Sequence, residues 1–109
     1  MRAIILSLSL MILTQTGLAQ NPLYKDYTKA GADSLRSVLL REKNDTVRMV
    51  IAKDLSYYYQ SVNWDSSALY AQQELDLALR VKQPLWESQA SWFLALASIQ
   101  QNNFPKAFG

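Results

Sequence analysis

Apolar residues in the second half of the chain recur every three or four positions, the spacing that places them on one face of an α-helix. In the stretch that starts at Asp45 these residues are Val47, Val50, Ile51, Leu55, Tyr58, Tyr59 and Val62. Comparable stripes follow in residues 66–81 and 84–101. No window alternates apolar and polar residues as a half-buried strand would. The sequence therefore predicts an all-α fold.

Capping residues divide this region into separate helices. Asp33, Asp45 and Asp65 each begin a helical stretch, where a carboxylate accepts hydrogen bonds from the unpaired N–H groups of the first turn. Pro84 suits the first turn of a further helix. The predicted helices span residues 34–43, 45–61, 66–81 and 84–101, and a fifth begins near Phe104.

The first nineteen residues have the layout of a secretory signal peptide. Arg2 gives a positive start, an apolar run of eleven residues follows, and the small residues Gly17 and Ala19 suit a signal peptidase. The run is shorter than the ~20 residues of a membrane-spanning helix, which disfavours an uncleaved anchor. We predict cleavage between Ala19 and Gln20 and an exported, periplasmic or otherwise extracytoplasmic protein. The predicted division is a signal peptide in 1–19, a flexible lead-in in 20–32 and a helical region in 33–109.

Composition excludes several kinds of chemistry. The 109 residues contain neither cysteine nor histidine, so thiolate nucleophiles, disulfides and imidazole acid–base catalysis are ruled out, as are zinc sites built from these ligands. After residue 19, ten Lys or Arg residues face nine Asp or Glu residues, a balance that gives no basic surface for nucleic acid. Glu74 and Asp76 diverge on a helix, and Asp54 is isolated among apolar neighbours. We predict no enzyme, cofactor or metal site.

The chain contains an internal repeat with an offset of about 40 positions. Each unit would consist of a helix, a turn bearing an aromatic residue and a second helix. The aligned pairs are Leu55 with Leu94, Ser56 with Ala95, Trp64 with Phe104, and Ser67 with Ala107.

This pattern resembles the tetratricopeptide repeat, which has a Leu-Gly pair and a Tyr on its first helix and small residues on its second. Leu55, Ser56 and Tyr59 match the first helix, and Ser67 and Ala71 match the second. The resemblance implies antiparallel helix hairpins stacked as a right-handed solenoid, incomplete at the C-terminus. Small residues would allow close helix approach, and Trp64 and Phe104 would fill the wedge where a pair diverges. The residues assigned to this packing are Leu55, Ser56, Tyr59, Trp64, Ser67, Ala71, Leu94, Ala95, Phe104 and Ala107.

The repeat departs from the family in four respects. Its offset is longer than the family's repeat length, and Ala71 stands where the family has Phe. The family's early Trp has no counterpart in the first unit, and Trp92 lies one position late in the second. The gap from Tyr59 to Ala71 is one residue short. These departures are most similar to the degenerate repeats in the exported N-terminal region of bacterial signalling proteins. A generic helical bundle is the alternative fold.

Stacked hairpins predict a protein–protein interaction scaffold that holds a peptide or partner protein against its first helices. The residues predicted to line this groove are Lys53, Tyr57, Gln60, Gln89 and Gln100. The alternative is the sensory N-terminus of a membrane-bound histidine kinase or transcriptional regulator, whose membrane helix and output domain would follow Gly109. A hydrolase or glycan-binding protein would need an added domain.

The aromatic residues leave two further interpretations open. The run Tyr57-Tyr58-Tyr59 is either helix packing or a ligand-binding aromatic platform. Trp64, Trp86 and Trp92 either fill a core or stack on a carbohydrate. Packing is the simpler interpretation in both cases, because the residues lie at helical spacing or at a turn.

Overall fold

A computed structural model describes residues 26–101 of the chain, and this range folds into four α-helices with no strand. The helices are α1 (Lys29–Arg41), α2 (Asp45–Tyr59), α3 (Trp64–Arg80) and α4 (Pro84–Gln101). The all-α prediction is confirmed. The predicted signal peptide and the predicted fifth helix, with Phe104 and Ala107, lie outside the described residues.

The helix starts show which of two neighbouring capping residues is used. Asn44 caps α2 by accepting a 3.0 Å hydrogen bond from the N–H of Val47, and Asn63 caps α3 by accepting one of 3.0 Å from Ser66. Asp45 and Asp65, the predicted caps, instead lie in the first turn, where a carboxylate stabilises the positive end of the helix dipole.

Helix α1 begins earlier than the sequence predicts. Thr28 caps it, and its hydroxyl accepts a 3.1 Å hydrogen bond from the N–H of Gly31. Ala32 is buried, and Asp33 lies within the helix rather than at its cap. The last four residues of the predicted flexible lead-in therefore belong to α1. Gly31 is tolerated because it lies in the first turn, where the helix is least dependent on residue propensity.

Consecutive helices are antiparallel and joined by three or four residues. Arg80 at the end of α3 pairs with Asp45 at the start of α2, at 3.4 Å. Gln101 at the end of α4 donates a 2.7 Å hydrogen bond to Asp65 at the start of α3. Helices α2 and α4 both run opposite to α3, so they run in the same direction as each other.

Two apolar clusters hold the helices together. One joins α1 to α2 and consists of Ala32, Leu39, Ile51 and Leu55, with Leu35, Tyr58, Tyr59 and Tyr70 packed against it. The other joins α2, α3 and α4 and consists of Met49, Leu77, Ala78 and Trp86. Tyr57 of α2 also stacks on Phe93 of α4, with ring centroids 6.1 Å apart, so α2 and α4 are direct neighbours.

Two serines mark the closest approach of α2 and α3. The hydroxyl of Ser56 donates to the backbone carbonyl of Ser67 at 2.9 Å, and the hydroxyl of Ser67 donates to the carbonyl of Ser56 at 2.8 Å. Both residues are fully buried, as is Ala71 one turn further along α3. Helices α2 and α3 are therefore in close contact at these positions.

Three buried positions recur in α2 and α4 at a spacing that differs from the predicted offset. Ala52, Leu55 and Ser56 of α2 are buried, and the residues 34 positions later, Trp86, Gln89 and Ala90, are buried too. The predicted equivalents are less buried: Leu94 is half-buried and Ala95 is exposed. A register of 34 residues, in place of the predicted one, would pair Ser56 with Ala90 rather than with Ala95. Trp64 and Phe104 cannot be compared, since Phe104 lies outside the described residues.

This register is tested by enlarging each alanine in turn. Ala90→Leu should destabilise the protein by about 1–3 kcal/mol, because no space exists for the added atoms at a fully buried helix contact. Ala95→Leu adds the same atoms to an exposed position and should change stability by less than about 0.5 kcal/mol. Urea denaturation monitored by circular dichroism measures both. A larger loss for Ala95→Leu would restore the register predicted from the sequence.

Candidate functional site

The five residues predicted to line a groove do not share one surface. Lys53 and Gln89 are buried, with only 1% of Lys53 exposed. This corrects the prediction that both line an accessible groove. Tyr57 and Gln60 are half-buried, and Gln100 is exposed.

Lys53 and Gln89 instead belong to a buried polar cluster, which we define as Lys53 and Asp54 of α2, Glu74 of α3 and Gln89 of α4. The Nζ atom of Lys53 lies 2.5 Å from Asp54 Oδ1 and 5.7 Å from the centre of the Trp86 ring. The hydroxyl of Tyr27 donates a 2.8 Å hydrogen bond to Asp54 Oδ2. Asp54 Oδ1 accepts no hydrogen bond of suitable geometry among the described residues, so its contact with Lys53 is electrostatic rather than directional.

Glu74 is the most perturbed group of this cluster. It is completely buried, and burial raises the pKa of its carboxyl group to about 9 from an ordinary value of 4.5. The nearby Lys53 opposes this rise in pKa, and Asp54 adds to it. Because burial outweighs the attraction to Lys53, the Glu74 carboxyl group is protonated at neutral pH.

Gln89 faces Glu74 from α4 and can bond to it in either charge state. With its amide nitrogen turned towards Glu74, Gln89 donates to both carboxylate oxygens, with Oε1 at 3.1 Å. With its amide oxygen there instead, it can accept a hydrogen bond from the protonated carboxyl group. The protonation state of Glu74 therefore selects the orientation of the Gln89 amide.

The buried polar cluster does not form an open active site. Its four side chains are each less than a tenth exposed, so no substrate reaches them in this conformation. Residues 26–101 also contain no group of three or more acidic side chains placed to hold a metal ion. Sequence reasoning treated Asp54 as isolated and Glu74 only as a neighbour of Asp76. The available clue was that Glu74 shares the stripe of Ser67, Ala71 and Ala78 on the buried side of α3.

An accessible cavity lies beside the turn between α2 and α3. It has a volume of about 460 Å³, and four of its walls are aromatic. Its lining residues are Asp26, Tyr27, Tyr57, Tyr58, Gln60, Ser61 and Trp64. Trp64, predicted to fill the wedge between helices, is half-buried and forms part of this cavity. We call this the aromatic cavity. Its size falls within the range of small-molecule sites.

A second cavity lies between α1 and the following hairpin. Its volume is about 630 Å³, and its lining combines Arg36, Arg48 and Asp33 with Leu39, Leu40 and Tyr70. Arg36 and Asp33 form an exposed ion pair at 3.8 Å. The charged side chains of this lining are thus two arginines and one aspartate.

Neither hydropathy nor similarity to known proteins adds a functional assignment. Every helix within residues 26–101 is too short or too polar to cross a bilayer. No family model, curated protein or solved structure matches the chain.

Proposed function

We propose that the chain is an exported interaction scaffold, in which tetratricopeptide-like helix hairpins stack and present their first helices to a protein or peptide partner. The observation that carries this proposal is that three buried positions of α2, Ala52, Leu55 and Ser56, have buried counterparts 34 residues later in α4. That spacing is the length of a tetratricopeptide repeat.

The residues at these positions support the same assignment. The family pattern on the first helix is Trp-x2-Leu-Gly-x2-Tyr. In α4 these positions hold Trp86, Gln89, Ala90 and Phe93, of which Gln89 departs from the Leu of the pattern. In α2 they hold Ala52, Leu55, Ser56 and Tyr59, of which Ala52 departs from the Trp. A small residue at the Gly position is needed because the backbones of paired helices approach closely there, and Ser56 and Ala90 are both fully buried.

The exposed side of α4 supports the proposal that a further helix packs against it. Leu85, Trp92 and Ile99 are exposed large apolar residues at intervals of seven, so they lie along one side of the helix. Trp92 is 60% exposed. A stripe of this kind is typical of a repeat face that packs against a following helix, since a single hairpin cannot cover its own apolar surfaces.

The partner would contact the accessible part of the predicted groove. Tyr57 and Gln60 on α2 and Gln100 on α4 remain at least partly exposed, whereas Lys53 and Gln89 hold the helices together from inside. Export is supported by the sequence pattern of residues 1–19. The partner is therefore expected outside the cytoplasm.

Site-specific photo-crosslinking in the producing cell tests this function. A photoreactive amino acid at Gln60 or Gln100 should capture the same partner, because both positions lie on first helices or at their ends. Asp76, on the side of α3 away from its buried residues, is the matched control and should capture none. The captured partner, once purified, should bind the unmodified chain, and Tyr57→Ala should weaken that binding by about tenfold or more. Equal capture from all three positions, or none from any, would contradict the proposal.

A further inference from the structure

The aromatic cavity has a composition that neither helix packing nor a peptide groove requires. Three tyrosines and a tryptophan line it: Tyr27, Tyr57, Tyr58 and Trp64. Its lining contains one carboxylate, Asp26, and no cationic side chain among the described residues. The faces of aromatic rings carry partial negative charge, so rings and carboxylate together favour a positively charged ligand.

The aromatic rings are held in place by contacts outside the cavity. Tyr57 stacks on Phe93 at 6.1 Å, and Tyr58 meets the ring of Tyr59 edge-on at 5.0 Å. Tyr27 is anchored by the hydrogen bond from its hydroxyl to Asp54. Partial burial and that bond raise the pKa of Tyr27 to about 12, so the phenol stays protonated and keeps donating to the carboxylate. A cavity whose walls are already fixed binds without first ordering them.

We propose that the aromatic cavity binds an organic cation with an alkylated ammonium group. Methyl groups spread the positive charge over a surface that packs against ring faces and that is easier to dehydrate than a bare ammonium. Asp26 supplies the opposite charge. An anion would be repelled by the carboxylate of Asp26. A neutral sugar would gain no electrostatic attraction from that carboxylate. This site goes beyond the interaction scaffold and does not depend on it.

The same chemistry is available from two sources, a free small molecule or a methylated lysine side chain of a partner. Nuclear magnetic resonance of the full chain, labelled with ¹⁵N, distinguishes them. The three tryptophans give three indole N–H signals, and Trp64 lines the cavity whereas Trp92 is exposed on α4. The chain is titrated with choline, with its neutral isostere 3,3-dimethylbutan-1-ol, and with a tripeptide carrying trimethyl-lysine.

Choline should shift the Trp64 signal with a Kd of about 1 mM or lower and leave the Trp92 signal in place. The neutral isostere should bind at least about tenfold more weakly, because it keeps the shape and loses the charge. If the tripeptide binds more than about tenfold tighter than choline, the natural ligand is a methylated lysine of a partner. If the ratio of the two affinities is smaller, the natural ligand is a free small molecule. Either result supports the cation site. Equal binding of choline and the isostere, or no Trp64 shift at ~10 mM choline, would overturn it.

Variants at two lining residues test the site in proteins that remain folded. Tyr58→Leu removes one aromatic wall and should weaken choline binding about 3- to 30-fold, whereas Tyr58→Phe keeps the ring and should change it less than about twofold. Asp26→Asn at an exposed position should weaken it about two- to fivefold. Circular dichroism verifies that each variant is folded. Equal binding by Tyr58→Leu and Tyr58→Phe would contradict recognition by the ring.

Discussion

Replacing Glu74 with glutamine is expected to stabilise the protein at pH 7 by about 3 kcal/mol and to remove most of its loss of stability at alkaline pH. Glu74 is fully buried, and its pKa is raised to about 9 from 4.5. Glutamine has nearly the same shape, carries no charge and can still bond to the amide of Gln89. The gain arises because burial of the carboxyl group penalises its charged form.

The direction of the pH dependence follows from proton binding. Between pH 4.5 and 9 the folded protein holds a proton on Glu74 that the unfolded chain has released. The contribution of Glu74 is therefore most favourable below pH 4.5 and declines as the pH rises towards 9, by about 1.4 kcal/mol per pH unit. Across the interval from pH 4.5 to 7 this amounts to about 3 kcal/mol. Above pH 9 both states are ionised and the difference stays constant.

Urea denaturation between pH 5 and 9 measures this effect. The unaltered chain should become steadily less stable over that interval, and Glu74→Gln should show a flatter profile. Glu87→Gln is the matched control, since it makes the same change at a less buried position in the first turn of α4 and should alter stability by less than about 1 kcal/mol. If Glu74→Gln were less stable than the unaltered chain at pH 7, Glu74 would be ionised and its attraction to Lys53 would outweigh its burial.

Local sequence patterns predicted that the four helices exist but did not predict the first residue of every helix. The helix predicted over 84–101 matches α4, because Pro84 and the preceding turn leave one possible start. Where Asn and Asp lie close together, at 44 and 45 and again at 63 and 65, both residues have capping side chains. Propensity alone does not choose between neighbours that differ by one or two positions. Thr28 was missed because Gly31 suggested a loop, although the first turn of a helix accepts glycine.

The repeat register could not be obtained from the same patterns. Helix α4 contains Ala90, Ala95 and Ala97, so several alignments place a small residue opposite Ser56. The alignment chosen from the sequence paired the turn aromatics Trp64 and Phe104. The burial of these residues favours an alignment through Trp86, which is 2% exposed, over one through Trp92, which is 60% exposed. The two tryptophans are alike in type, but Trp86 packs against neighbouring helices whereas most of Trp92 is exposed.

The buried polar cluster was hidden for a related reason. Lysine is rarely buried, so Lys53 in α2 was assigned to an accessible groove. Its burial depends on Asp54 and on Trp86, which is distant in the sequence and belongs to α4. A single sequence without the helix arrangement does not bring these residues together. The aromatic cavity was partly anticipated by the tyrosine run, but Tyr27 and Asp26 reach it from outside any predicted helix.

Lys53→Met is expected to have the largest destabilising effect of any substitution considered, a loss of about 3–5 kcal/mol. Methionine fills much of the lysine volume but removes the charge that lies 2.5 Å from Asp54 Oδ1. Asp54 is only 3% exposed and would keep one donor, the hydroxyl of Tyr27. An ionised carboxylate left in that position loses its hydration without an opposing charge. Urea denaturation at pH 7 gives the size of the loss.

A second substitution separates the electrostatic effect from packing. In the Lys53→Met background, Asp54→Asn removes the stranded charge, still accepts from Tyr27, and should recover about half or more of the lost stability. Lys43→Met, at an exposed position, is the control and should change stability by less than about 0.5 kcal/mol. Failure of Asp54→Asn to recover stability would assign the loss to packing against Trp86. A loss no larger than that of Lys43→Met would mean that water reaches Lys53, which would return this residue to the partner-binding groove predicted from the sequence.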